Sequence, residues 1–111
     1  MSMAVQYAKT TVHECYLSDP ACAAKVAEQI AKFYPQPFDA MAMLEKECGR
    51  YVKGAHKGQL RGYAAIHVVS EGGWQRLGPG EGNGRVRRPG TVLKVVVIDR
   101  FTGKVYLEVS A

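Results

Sequence analysis

Apolar residues recur at helical spacing in the first half of the chain and at alternate positions in the second, so helices are expected ahead of strands. Ser18-Asp19-Pro20 is a helix start, a capping oxygen followed by a proline whose fixed φ suits the first helical position. A helix is predicted over about 20–34, with Cys22, Val26, Ile30 and Phe33 on its apolar stripe and Lys25, Glu28, Gln29 and Lys32 on the other side. Pro35 ends it, and Pro37 can open a second helix over about 37–53. Met41, Leu44, Cys48 and Tyr51 or Val52 form the second stripe, and Gly54 is its expected end. Gly49 sits oddly inside that span, marking either close packing or an earlier stop.

From Gly62 the period becomes two. YAAIHVVS, within a strand at about 62–70, is apolar on both faces, which suits the interior of a sheet. Glu71-Gly72-Gly73 is read as a hairpin turn into a short strand at 74–77. VLKVVVID and KVYLEV, at about 91–99 and 104–109, are rich in β-branched residues and joined by Asp99-Arg100-Phe101-Thr102-Gly103 as an antiparallel hairpin. Residues 3–17 fit either a helix, by the spacing of Val5, Ala8, Val12 and Cys15, or an edge strand, by Thr10-Thr11-Val12. The expected fold is α+β, with two N-terminal helices packed on one face of a three- to five-stranded antiparallel sheet, in a single domain over 1–111.

Composition fits that picture. With 111 residues, 47% apolar and 23% charged, one globular core is the expectation. No apolar run approaches bilayer length and the first residues lack the apolar core of a signal peptide, so the cytoplasm is the expected address and no membrane partner is expected. Cys15, Cys22 and Cys48 are an odd number with no dense framework, and all three are read as reduced.

The net charge of +5 is placed unevenly. Between Lys53 and Arg88 lie seven basic residues and two acidic ones, whereas the rest of the chain carries eight of each sign. Such a concentration is the footprint of a site for an anionic partner. The candidate binding residues are Lys53, His56, Lys57, Arg61, Trp74, Arg76, Arg85, Arg87 and Arg88. The last three belong to GPGEGNGRVRRPG at 78–90, read as a flexible connection between strands. Its glycines do not make a nucleotide loop, because a proline and a strand follow where a phosphate-binding helix would be needed.

Catalytic and metal motifs are not found. His13, Cys15 and Cys22 lack the paired spacing of a zinc site, and no metal or cofactor is expected. His67 lies among apolar strand residues and is read as packed, while His56 lies in the basic stretch AHKGQLRG. VVVIDRFTGKVYLEV resembles the closing hairpin of small α+β domains, including PepSY domains and immunity proteins of the NTF2-like fold, and KVAEQIAKFY is similar to the opening helix of some of the latter. The resemblance implies a helix and a hairpin and carries no site or activity. The resulting expectation is a small non-enzymatic binding protein that uses a basic surface to engage an acidic macromolecular partner. The alternative is a nucleic-acid-binding domain, with Trp74 or Tyr63 stacking on bases, which extends to a metal-independent ribonuclease if His56, Arg61 and the loop arginines Arg85, Arg87 and Arg88 come together. A homodimer through the edge offered by KVYLEV is a further expectation.

Overall fold

The computed structural model describes residues 10–69 and 90–110. The open N-terminal element is a strand, β1 (Thr10–Tyr16), followed by the helices α1 (Pro20–Ala31) and α2 (Ala40–Cys48). Strands β2 (Tyr63–Val69), β3 (Val92–Ile98) and β4 (Val105–Ser110) complete the order. The four strands form one antiparallel sheet in the order β1-β2-β3-β4, so the class is α+β. β2 is interior, as its two apolar faces require, and β4 lies at an edge. The strand expected at 74–77 and the loop at 78–89 lie outside the described residues.

Each helix begins where a side chain satisfies an orphan amide. Asp19 Oδ1 accepts from Ala21 N at 3.0 Å with Pro20 in the first turn, and Asp39 Oδ1 accepts from Ala42 N at 3.0 Å. The second helix therefore starts at Asp39 rather than at Pro37. After Ala31 the chain tightens, with Phe33 N bonded to Ile30 O and Tyr34 N to Ala31 O, which carries the first helix to its expected end as a narrower turn. The second helix stops at Gly49, whose φ of 74° is closed to most other residues, so Tyr51 and Val52 are not part of a helical stripe. Val52 is 80% exposed.

Val26, Ile30 and Leu44 from the helices and Ala64, Ile66, Val95, Val97, Leu107 and Val109 from the strands belong to one buried cluster. The strand members alternate, as a half-buried sheet demands. Full burial of each larger aliphatic is worth about 1.5–3 kcal/mol. No helix among the described residues is long and apolar enough to cross a membrane.

One expectation is corrected outright. Cys15 and Cys22 are joined in a disulfide, with Cα atoms 6.0 Å apart, and only Cys48 is a free thiol. The reversal between β1 and α1 brings the pair together, which a sequence separation of seven does not reveal. Reduced cysteines were one ground for expecting the cytoplasm, and the bond removes that ground.

Candidate functional site

Between the second helix and β2 the chain makes a small excursion, 49–62. Arg50 bridges to Leu60, Tyr51 N donates to Gln59 O at 3.0 Å, and Gly58 N returns a bond to Tyr51 O at 2.9 Å. His56 stands in its tip, where Nδ1 donates to Gln59 Oε1 at 2.9 Å and the ring lies 5.8 Å from that of Tyr51. The excursion closes when Arg61 N bonds Gly49 O at 2.9 Å. Arg61 is thereby delivered to the start of β2.

The turn between β3 and β4 approaches the same place. Asp99 organises it: Asp99 O accepts from Gly103 N at 2.7 Å, and Oδ1 accepts from Phe101 N at 2.9 Å. Gly103, with φ 77°, supplies the positive dihedral. These backbone donors, Phe101 N–H foremost, hold the Asp99 carboxyl below the ordinary carboxylate range, so it is ionised at neutral pH. Tyr106 OH then donates to Asp99 Oδ2 at 3.2 Å and accepts from Arg61 Nη2 at 3.1 Å. Partial burial raises the Tyr106 phenol above its usual value, against a smaller opposing pull from Arg61, so it keeps its proton.

The excursion, the turn and the end of β1 enclose a cleft of about 360 Å3. His56, Tyr51 and Arg61 line it from the excursion, Asp99, Arg100, Phe101 and Tyr106 from the hairpin, and Tyr16 and Ser18 from the end of β1 and the start of α1. The Arg61 guanidinium carbon lies 6.0 Å from the Tyr51 ring centre and 5.9 Å from that of Tyr106. Arg100 lies 4.3 Å from the ring centre of Tyr63, whose ring meets Tyr16 edge-on at 4.8 Å. Tyr63 OH donates to Glu14 Oε2, which raises the Tyr63 phenol and keeps it protonated. Each arginine therefore rests against a tyrosine at cation–π distance.

Of the basic residues singled out in the sequence, His56 and Arg61 line the cleft. Lys53 and Lys57 are exposed on the same excursion without lining it. Trp74, Arg76, Arg85, Arg87 and Arg88 lie outside the described residues. Tyr16, Tyr51, Asp99, Arg100, Phe101 and Tyr106 were missed, because β1, the excursion and the β3–β4 hairpin are far apart in sequence and share no spacing. The one usable signal was Arg100-Phe101, a cation and a large apolar ring in a turn otherwise built for polarity.

A second, more open cavity of about 690 Å3 lies against α1, where Ala23, Ala24, Ala27 and Ala31 face Phe38, Met41 and Leu60. Its rim charge Arg50 is already paired with Glu45 and bonded to Gly58 O. Among the described residues no group of three histidine, cysteine or acidic side chains could hold a metal ion. Comparison with known proteins returns no match to a family model, a curated protein or a solved structure.

Proposed function

We propose that the protein is a small non-enzymatic binding protein that engages an acidic macromolecular partner through the cleft lined by Arg61 and Arg100. One observation carries this reading: two arginines, neither in an ion pair among the described residues, are held beside one cleft by tyrosines. A guanidinium has five N–H donors, and the bond to Tyr106 uses one of those on Arg61, so donors remain for an incoming anion. Lys53 and Lys57 on the neighbouring excursion add longer-range attraction.

The reading treats the two helices as a layer over the sheet face that carries Ile66, Val95, Val97 and Leu107, supported by their common buried cluster. That layer leaves one end of the sheet for the cleft. The Cys15–Cys22 bond supports an oxidising environment as the working location. Pairing of two copies along the outer edge of β4 belongs to the same proposal, and sedimentation as a monomer at high concentration would remove it.

The test is salt-dependent binding of soluble polyanions. Polyphosphate, polyglutamate or a nucleic-acid strand is expected to bind at low salt and to be released as salt rises, and Arg61→Ala with Arg100→Ala should abolish binding. Failure of all three polyanions to bind overturns the reading. A ribonuclease is the second reading, favoured by His56, which lines the cleft with its Nδ1 held 2.9 Å from Gln59 Oε1. RNA cleaved in the presence of a chelator, and spared by His56→Ala, would replace the binding reading; RNA recovered intact would end the enzymatic one.

A further inference from the structure

We infer that the partner taken by this cleft is single-stranded nucleic acid, whose unpaired bases lie on the exposed rings while its phosphates meet Arg61 and Arg100. The inference rests on the binding reading above and narrows it to a ligand class. An acidic protein needs only cations; this site has invested in rings. Phe101 is 90% exposed at the tip of the β3–β4 turn, and no ring contact among the described residues involves it. Its backbone is nevertheless held by the Asp99 side chain at 2.9 Å, so a large apolar ring is presented to water on a well-bonded support. Tyr16, also lining the cleft, is 48% exposed.

Leaving such rings in water forgoes hydrophobic stabilisation that burial against a flat ligand recovers. Bases are flat, every base offers a π face, and in a single strand those faces are free. A duplex hides its bases, and polyphosphate or polyglutamate has none. Arg61 and Arg100 line the same cleft as Phe101 and Tyr16, braced there on Tyr51 at 6.0 Å and on Tyr63 at 4.3 Å, so base and phosphate of consecutive nucleotides would meet neighbouring groups. Phenols kept protonated at Tyr63 and Tyr106 add no negative charge beside the backbone.

The experiment uses the whole chain and fluorescence anisotropy at low salt, with labelled ten-nucleotide single strands of RNA and DNA, the corresponding duplexes, polyphosphate and polyglutamate. Single strands are expected to bind at least tenfold tighter than either ringless polymer or a duplex. Phe101→Ala should weaken strand binding roughly five- to a hundredfold, the range set by stacking of one base, and leave polyphosphate binding unchanged. Arg61→Ala should weaken every polyanion and lower the salt slope for a single strand by about 0.7 for each phosphate it no longer neutralises. Phe101 is exposed enough that its loss does not threaten the fold. Polyphosphate or polyglutamate binding as tightly as the strand, or indifference to Phe101→Ala, overturns the inference while leaving the anion-binding reading in place. Binding of no polyanion at all sinks both.

Discussion

The cleft and the cavity against α1 touch at Ser18, which lines both, and they are otherwise opposites. One is walled by tyrosines, arginines and a histidine held on a loop, a turn and the tip of β1. The other has a wall of alanines on a helix face, and the arginine at its rim, Arg50, is paired with Glu45. The difference lies in how the room is made. Along α1 the space exists because methyl groups do not reach across it. In the cleft the side chains are large, and hydrogen bonds from Arg61 to Tyr106 and from Tyr106 to Asp99 fix several of them in place. A site with fixed, unpaired cations can select a ligand, whereas an alanine wall offers area without direction.

The most severe way to break the comparison is at the floor of the cleft. Gly62 has φ 123°, and a Cβ placed there would lie 2.6 Å from Val97 Cγ1 and 3.2 Å from Leu17 Cδ1. Gly62→Ala is expected to cost about 2–4 kcal/mol, from backbone strain and overpacking together, read as a shift in urea midpoint. A midpoint unchanged within error would show that the floor yields freely. Next in size is the bond between Cys15 and Cys22, which ties the strap Tyr16–Pro20 that both cavities share. Replacing both cysteines with serine should remove about 2.5 kcal/mol, as expected for closing so short a loop. Because the strap serves both sides, binding at the cleft should weaken too.

Thiol counting sharpens the same point. Burial lifts Cys48 to about 11, so a disulfide reagent at neutral pH should find no reactive thiol in the native protein. It should find one after unfolding and three after unfolding with reduction; two or more in the native state would contradict the pairing. A smaller effect is expected of Ala24→Leu, which fills part of the alanine cavity from an exposed position. Stability should move by less than about 0.5 kcal/mol and strand binding should not change. Loss of binding would show that the cavities work as one.

The smallest effect concerns acid. Asp99 has a lowered folded value, so its contribution to the β3–β4 turn is complete above the unfolded carboxylate range and is lost as pH falls through the folded value. Carboxyl titration by NMR should place Asp99 below the ordinary aspartate value. A titration at that value would mean that the turn is not organised by this side chain.

The elements legible in the sequence were those whose causes are local. Asp19-Pro20 starts a helix wherever it occurs, and the β-branched runs around Asp99–Gly103 pair because the turn between them is short. His56 and Arg61 were found through their charge. What stayed hidden depends on closure over distance: Cys15 meets Cys22 only because the chain reverses at Leu17, and Tyr16, Tyr51, Tyr63 and Tyr106 meet only once β1, β2 and the hairpin share a sheet. The excursion 49–62 was obscured by a different route. Tyr51 and Val52 keep helical spacing past Gly49, and periodicity alone does not register a positive φ.

The far end of β2 and β3 has an evolutionary consequence. Val69 and Gly90 are already hydrogen-bonded neighbours, with Gly90 N on Val69 O at 2.7 Å and Val69 N on Thr91 O at 2.9 Å. The sheet is thus stitched shut at the two residues where the connection 70–89 begins and ends. Doubling the length of a connection inserted there costs only about 0.6 kcal/mol of closure entropy. Descendants of this chain can therefore change the number of residues between Val69 and Gly90 at small entropic cost, because the two ends of that interval are already paired.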